Sequence, residues 1–305
     1  MLTYLILAFG LLALFLGGDF LVKGASGLAL RLGLSPMVIG LTVVGFGTSA
    51  PELLVSLNAA LGGQAGIAVG NVVGSNIANT LLILGLAAVL APVTVAFATI
   101  RRDLFWMAGA TLLLPVVLWS GDLGLIEGLV LVAGLAAFLV LSLRSGTPEV
   151  AEIGPVGPLW HSLVFALGGL VAIMVGAHYL VQSATIIARD FGISEAMIGL
   201  SIVAIGTSLP ELATTIVAVI RGQRDIAVGN VIGSNIFNVL GILGITAVVT
   251  PIPVAVRFMQ VDIPFLIGLT AVIIAVLWLT GKLGRITGII MLLAYGFYLA
   301  ATSGL

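Results

Sequence analysis

The sequence predicts an all-α polytopic membrane protein with ten transmembrane helices, arranged as two inverted five-helix repeats. Three observations predict this fold: an apolar composition, ten apolar stretches of suitable length, and an internal duplication. Of the 305 residues, 61% are hydrophobic and only 8% are charged, whereas a soluble domain carries about 25% charged residues. A helix crosses the bilayer with about 20 apolar residues, so ten helices joined by short loops account for most of the chain.

The composition also excludes several classes of protein. The formal net charge is −1 and there is no cysteine, so the chain offers no basic surface for nucleic acid and no thiolate or disulfide chemistry. The two histidines, His161 and His178, are too few and too far apart for a zinc motif. Continuous apolar runs exclude a transmembrane barrel, in which apolar and polar residues alternate. We therefore expect the lipid bilayer as a partner, and neither a cofactor nor nucleic acid.

Charges, glycines and prolines divide the chain into ten predicted spans. In chain order they are residues 2–22, 36–60, 67–90, 103–119, 124–143, 162–186, 195–219, 226–249, 262–279 and 286–303. The first of them carries no charge before Asp19. Residues 144–160 hold three prolines and two glutamates between the fifth and sixth spans, so we interpret this segment as a short connecting loop.

The two groups of five spans are copies of one unit. Residues 40–86 align without a gap on residues 199–245 at a constant offset of 159, with 27 identities in 47 positions. The chain therefore divides into a first repeat at 1–143, the connecting loop at 144–160 and a second repeat at 161–305. Because each unit has an odd number of spans, the second copy must cross the membrane in the opposite direction.

The basic residues indicate the orientation of the chain in the membrane. Nine of the eleven Lys and Arg residues fall in loops that follow odd-numbered spans, and the other side holds only Arg189 and Arg257. Since cytoplasmic loops are enriched in Lys and Arg, both termini are expected to lie outside the cell membrane. Inverted repeats of this kind are typical of secondary transporters, which bind substrate near the midplane between the repeats.

Each repeat carries one glutamate in the middle of its second span. Glu52 lies in GTSAPEL (47–53) and Glu211 in GTSLPEL (206–212). A charged side chain at the membrane centre costs about 2.5–3.5 kcal/mol or more. A purely structural interpretation, in which each glutamate stays protonated and only joins helices, has to explain the same costly residue twice. The duplication therefore favours a functional site.

The residues before each glutamate are expected to add oxygen ligands. Each motif holds two hydroxyl residues, three and four positions before the glutamate, which places them on its helix face. These are Thr48, Ser49, Thr207 and Ser208. Pro51 and Pro210 are expected to break or kink their helices and to free backbone carbonyl groups, which membrane proteins tolerate where the backbone lines a polar cavity.

The third span of each repeat carries a polar stripe. In GNVVGSNIAN (70–79) and GNVIGSNIFN (229–238), polar residues recur at every fourth position. One such stripe alone favours interhelical hydrogen bonding, but its duplication beside the glutamate spans favours a cage. The predicted ligands are Ser75, Asn79, Ser234 and Asn238. Asn76 and Asn235 lie off the stripe and are expected to form hydrogen bonds between helices.

These residues together predict a site for a hard cation. They offer two carboxylates, hydroxyl groups, amides and freed carbonyl groups, but no sulfur and no imidazole. Calcium takes six to eight oxygen ligands of these types, and amide and hydroxyl oxygens can also hold Na⁺. An intramembrane enzyme is a weaker alternative, because the site offers no His or Cys. A passive cation channel is a third alternative, which coupling to a counter-ion would exclude.

The paired motifs resemble the two alpha-repeats of the calcium/cation antiporter superfamily, specifically the prokaryotic members of its sodium/calcium exchanger branch. The alpha-repeat cores would be residues 40–86 and 199–245. The resemblance covers the whole chain and implies exchange of Na⁺ for Ca²⁺ by alternating access, with three Na⁺ per Ca²⁺, by a chain that works alone. The proton-coupled branch of the superfamily is the nearest alternative, and its repeats typically lack the Thr-Ser pair found here.

The resemblance also implies a role for each site residue. Glu52 and Glu211 would be the central calcium ligands, and Thr48 and Thr207 would add oxygens there. The flanking sodium sites would use Ser49, Ser75, Ser208 and Ser234, and the middle would be lined by Asn79 and Asn238. Backbone carbonyl groups near Gly45 and Ala204 would complete the set. Some relatives carry Asp at the position of Asn238, so the charge of this site is limited to about −2, which weakens a potassium-cotransport interpretation. The large regulatory domain of eukaryotic exchangers has no counterpart in the connecting loop.

Calcium uptake is expected to fall at acid pH, because protons and calcium compete for the carboxylate oxygens of Glu52 and Glu211. The measurement is the initial rate of calcium uptake into vesicles between about pH 8 and about pH 5. A rate that stays flat across this range would contradict the expectation.

Overall fold

The computed structural model describes residues 2–144, 158–192 and 204–303, which form an almost entirely helical bundle. The helices of the first half are α1 (Leu2–Leu32), α2 (Pro36–Thr48), α3 (Ala50–Leu61), α4 (Gly66–Leu90), α5 (Phe97–Val117) and α6 (Leu125–Arg144). Those of the second half are α7 (Leu159–Asp190), α8 (Ala204–Gly206), α9 (Leu209–Ile220), α10 (Arg224–Val249), α11 (Phe258–Thr280) and α12 (Arg285–Ser303). The apolar segments are helical because a helix satisfies its own backbone polar groups where water is absent.

The described helices are those of a polytopic membrane protein. Seven of them are long and apolar enough to cross a membrane, and the bent pair α2–α3 makes an eighth. These membrane-crossing candidates do not include α5, which carries three charged residues near its start, or the short pair α8–α9. The beginning of the predicted span at 195–219 lies outside the described residues, and so does most of the predicted connecting loop at 144–160.

Two helices extend well beyond their predicted spans. Spans at 2–22 and 162–186 were predicted, but α1 is 31 residues long and α7 is 32. The first predicted span stops before Lys23, whereas the helix continues past this charge to Leu32. Asp19 is buried inside α1, where it pairs with Lys23 at 2.6 Å and with Arg221, just after α9, at 2.5 Å. An ion pair of this kind keeps a charge within the bundle without ending the helix.

Four two-residue strands accompany the helices of this otherwise all-helical bundle. β1 (Val93–Thr94) pairs with β4 (Lys282–Leu283), and β2 (Asp122–Leu123) pairs with β3 (Ile252–Pro253), both antiparallel. Strands of two residues are too short for an alternating pattern, so the sequence does not signal them. Each pair joins a loop of the first half to a loop of the second, and the two joined loops must therefore lie at the same end of the bundle.

Helices α1 and α7 pack against each other through glycines. A Cβ added to Gly10 would lie 2.9 Å from the carbonyl oxygen of Gly176, and one added to Gly17 would lie 2.9 Å from that of Gly169. Small residues allow membrane helices to approach to backbone contact in this way. The contacts are reciprocal, since Gly169 and Gly176 follow Gly10 and Gly17 at the repeat offset of 159.

The proline motifs break their helices. The axes of α2 and α3 are bent by 42° at Ser49, and Pro51 lies in the first turn of α3. Pro210 has the same place in the first turn of α9, after Ser208. A proline is tolerated in a first turn because the N–H it lacks would have no partner there. The breaks place the first turns of α3 and α9, with their glutamates, inside the bundle.

Gly169→Ala is expected to lower the apparent melting temperature of the protein in detergent. The added methyl group would lie 2.6 Å from the carbonyl oxygen of Gly17, and overpacking of this kind costs roughly 1–3 kcal/mol. Gly168→Ala is the matched control, because a Cβ on this neighbouring glycine meets no described atom within 4 Å. Both variants gain the same helix propensity, so equal melting temperatures would contradict the glycine packing of α1 on α7.

Candidate cation-binding site

The two glutamates lie just after the helix breaks, one in each half of the chain. Glu52 lies in the first turn of α3 and Glu211 in the first turn of α9, and they are 0% and 1% exposed. Their carboxyl groups are close enough to interact electrostatically. Each carboxylate lies at a helix N-terminus, where the helix dipole stabilises negative charge.

The hydroxyl residues before Pro51 reach the opposite half of the protein. The Ser49 hydroxyl donates to Oε1 of Glu211 at 2.9 Å, and the Thr48 hydroxyl lies 3.2 Å from Oδ1 of Asn230. Both hydroxyl groups thus lie at the helix break and contact residues of the second half, and a helix face shared with Glu52 stays a prediction.

One predicted backbone ligand lies against a predicted side-chain ligand. The carbonyl oxygen of Gly45 is 3.4 Å from the hydroxyl groups of both Thr48 and Ser234. A second contact between the halves places the hydroxyl groups of Ser208 and Ser75 3.5 Å apart. The structure thus brings the predicted hydroxyl residues of one half beside those of the other.

Two further predicted residues, Ala204 and Thr207, lie before the second glutamate. Ala204 begins α8, the short helix that precedes the GTSLPEL motif. Thr207 is half-buried and shares a cavity wall with Ser75, whereas its repeat partner Thr48 is completely buried. The two halves therefore differ in how far their threonines are exposed.

Five buried oxygens of the predicted site have no hydrogen-bond partner among the described residues. They are both carboxylate oxygens of Glu52, Oε2 of Glu211, and the Oδ1 atoms of Asn79 and Asn238. Each unpaired buried polar atom costs roughly 1–3 kcal/mol, so a group of five at one place indicates a bound ligand. Within the described ranges, no three His, Asp or Glu side chains cluster as a metal site. Beyond two carboxylates, the ligands on offer are neutral oxygens.

Two asparagines of the predicted stripe support the glutamate helices instead of facing the five oxygens. Asn71 Nδ2 donates to the carbonyl oxygen of Glu52 at 3.1 Å and to the Ser56 hydroxyl at 2.9 Å. Asn230 repeats this arrangement with Glu211 (3.3 Å) and Thr215 (3.0 Å). The sequence reasoning missed Ser56 and Thr215. The available signal was a hydroxyl residue four positions after the glutamate in both repeats.

Two cavities lie beside the predicted site. A cavity of about 320 Å³ is lined by Asn71, Ser75, Thr207, Tyr295 and Tyr298. A second cavity, of about 450 Å³, is lined by residues that include Pro51, Thr207, Pro210 and His178. Thr207 lines both, so the two cavities meet beside the second glutamate motif.

Helices α2 and α10 approach each other to backbone contact. A Cβ on Gly229 of α10 would lie 2.7 Å from the carbonyl oxygen of Met37 in α2, and one on Gly45 would lie 3.0 Å from the amide nitrogen of Ser234. A Cβ on Gly74, the repeat partner of Gly233, meets no atom within 4 Å among the residues described. Residues 193–203, the repeat partners of 34–44, lie outside the described residues, so this packing is described on one side of the site only.

Comparison with known proteins identifies the family. The model of the sodium/calcium exchanger protein family matches residues 2–144 and 161–304. The chain belongs to the sodium/calcium exchanger family. It is a multi-pass membrane protein of the prokaryotic branch of the calcium/cation antiporter superfamily, and the exchanger's substrates are cations.

Relatives match the exchanger over most of their length. It is 43% identical over 258 residues to inner membrane protein YrbG of Escherichia coli, covering 81% of this chain and 79% of the relative. It is 32% identical over an alignment of 340 residues to the sodium/calcium exchanger MaX1 of Methanosarcina acetivorans, covering 97% of each. Its fold matches a structure of the sodium-calcium exchanger NCX_Mj soaked with Na⁺ and Ca²⁺, with a TM-score of 0.87, 32% identity and 98% coverage of both chains.

Asn71→Leu is expected to destabilise the exchanger, because it leaves the Glu52 carbonyl group and the Ser56 hydroxyl without their donor at the site. Loss of buried partners of this kind costs about 1–3 kcal/mol, which melting curves in detergent will detect. Asn58→Leu, an exposed asparagine on α3, is the control for the change in side-chain chemistry. If both variants melt like the wild type, Asn71 does not support the glutamate helix.

Proposed function

We propose that the exchanger moves Ca²⁺ against Na⁺ by alternating access, with both ions bound at the oxygen-lined site. The observation that carries this proposal is the set of five unpartnered buried oxygens, contributed by both halves of the chain around two carboxylates. Two ionised carboxylates neutralise one Ca²⁺, and the surrounding neutral oxygens suit Na⁺. Since one chain supplies both glutamates, the monomer is the proposed functional unit.

The proposed ligands are those implied by the sequence motifs. Glu52 and Glu211 hold Ca²⁺, and the remaining oxygens come from the hydroxyl groups, amides and backbone of the two repeats. These further ligands are Thr48, Thr207, Ser49, Ser208, Ser75, Ser234, Asn79, Asn238 and the carbonyl groups of Gly45 and Ala204. The contacts of Ser49 with Glu211 and of Ser234 with the Gly45 carbonyl support a shared site, because each joins a ligand of one half to a ligand of the other.

Ten spans in two inverted repeats are part of the proposal. The reciprocal glycine contacts between α1 and α7 support a two-fold relation between the halves. The strand pairs support the number of spans, because β1–β4 joins the loops after the predicted third and ninth spans, and β2–β3 joins those after the fourth and eighth. With ten spans, the two loops of each pair lie on the same side of the membrane.

The end near β1 and β4 is proposed to be cytoplasmic. Arg101 and Arg102 follow β1, and Lys282 and Arg285 lie in or beside β4, as expected for cytoplasmic loops. Both termini are then outside the cell membrane. The cavity lined by Tyr298, in the last turns of α12, is then on the outer side.

Exchange of three Na⁺ for one Ca²⁺ is the proposed stoichiometry, and it would move one net charge per cycle. Calcium uptake will be measured in proteoliposomes loaded with Na⁺, K⁺ or choline. Uptake is expected only with internal Na⁺, and an imposed membrane potential is expected to change its rate. Uptake that follows a pH gradient and ignores Na⁺ would indicate proton coupling, and uptake that ignores both would indicate a channel.

Glu52→Gln and Glu211→Gln are expected to lower sodium-dependent calcium uptake by at least about a hundredfold, because each removes a charged ligand whose interactions are worth up to about 3 kcal/mol. Glu127→Gln is the matched control, since Glu127 lies in the first turn of α6 and accepts a hydrogen bond from the amide of Gly124 at 3.1 Å. Normal exchange in either of the first two variants would contradict the proposed site.

A further inference from the structure

The amide groups of Asn79 and Asn238 offer a cation either an oxygen or an NH₂ group. The two ends of an amide have nearly the same shape, and hydrogen bonds decide which end points where. A cation is bound by the oxygen and repelled by the NH₂ group. Both Oδ1 atoms are buried and unpartnered at the site, so the contacts of the two NH₂ groups determine whether the site is complete.

The orientation of Asn238 is fixed by hydrogen bonds that end on a backbone carbonyl group. Asn76 Nδ2 donates to the carbonyl oxygen of Asn235 at 3.1 Å, and a carbonyl group can only accept. The Oδ1 of Asn76 therefore points the other way and accepts from Nδ2 of Asn238 at 2.9 Å. Asn238 is left with its oxygen toward the site.

The orientation of Asn79 depends on a longer series of bonds with a hydroxyl group in it. The Thr80 hydroxyl donates to the carbonyl oxygen of Asn76 at 2.8 Å, so its proton is already used and it can only accept. Asn235 therefore turns its Nδ2 to Thr80, at 3.0 Å, and its Oδ1 accepts from Nδ2 of Asn79 at 3.1 Å. Asn79 also presents its oxygen to the site.

The two series are related by the repeat but are not identical. Asn76 and Asn79 are the repeat partners of Asn235 and Asn238, whereas the partner of Thr80 is Val239. The series from Asn238 ends directly on a backbone carbonyl group. The series from Asn79 reaches a backbone carbonyl group only through the Thr80 hydroxyl. Without that hydroxyl, the NH₂ group of Asn235 keeps only the sulfur of Met107, at 3.6 Å, which is a weak acceptor.

We infer that Thr80 is a positioning residue for ion binding: through Asn235 it holds the Asn79 oxygen toward the transported cation. This inference rests on the proposed function, since it concerns ligands of the same site. If the hydroxyl is removed, Asn235 and Asn79 can both turn over while keeping the hydrogen bond between them. The Asn79 NH₂ group then faces the cation in a large share of molecules.

Thr80→Val tests the inference, because valine keeps the shape of threonine and already occupies the equivalent position of the second repeat. The half-saturating Ca²⁺ concentration for sodium-dependent uptake is expected to rise about tenfold, the effect of losing one oxygen ligand. Thr80→Ser keeps the hydroxyl and is expected to restore the wild-type value. Thr246→Val is the matched control, since it removes a buried hydroxyl of α10 that has no hydrogen-bond partner among the described residues.

Melting curves without ions will be recorded for each variant, which separates ion binding from folding. If Thr80→Val does not fold, Thr80→Cys replaces it, because a thiol is close in size to a hydroxyl but a weak acceptor. An unchanged half-saturating concentration in the folded variant, or an equal rise in Thr80→Ser, would overturn the inference. If the Thr80 variants overturn the inference while Glu52→Gln abolishes exchange in the same preparation, only the role of Thr80 is contradicted. If Glu52→Gln exchanges normally, the proposed site itself fails.

Discussion

The architecture of this protein depends on placing two carboxylates inside an apolar bundle. A charged group there is costly unless it is matched by an opposite charge and by oriented dipoles. No basic side chain of the described structure pairs with Glu52 or Glu211, and three of their four oxygens have no hydrogen-bond partner. The helix breaks at the two prolines put a helix N-terminus behind each carboxylate. The described structure thus surrounds two acidic groups with oriented dipoles and places no basic side chain on them.

The packing around these carboxylates uses backbone where a soluble protein would use side chains. Gly229 lies against α2, Gly45 lies against α10, and α1 crosses α7 at glycines. Close approach brings backbone carbonyl groups and short polar side chains within reach of each other. Asn71 and Asn230 then fix the glutamate helices through the carbonyl groups that follow the breaks. The same small residues thus serve packing and bring the oxygens of the proposed site close together.

The sequence predicts the membrane class, the two broken helices and the residues that meet at the site, because each has a strong local signal. Glu52 is conspicuous as a lone charge, and Pro51 cannot continue a helix. Other features depend on contacts between distant segments and have no local signal. Ser49 bonds to Glu211 of the other half, 162 positions later in the chain. Asp19 lies inside α1 because Arg221 reaches it, and the strands exist only as pairs between the halves.

The reciprocal contacts between the halves have the form of an isologous dimer interface, in which residue i meets residue j and j meets i. In a true homodimer every substitution appears twice, and the two ends of the assembly stay chemically equal. Joining both halves in one chain removes that restriction. Asp19 forms ion pairs within α1 and with Arg221, while its repeat partner His178 in α7 lines a cavity. The two halves can therefore carry different side chains at equivalent positions and still keep the symmetric core.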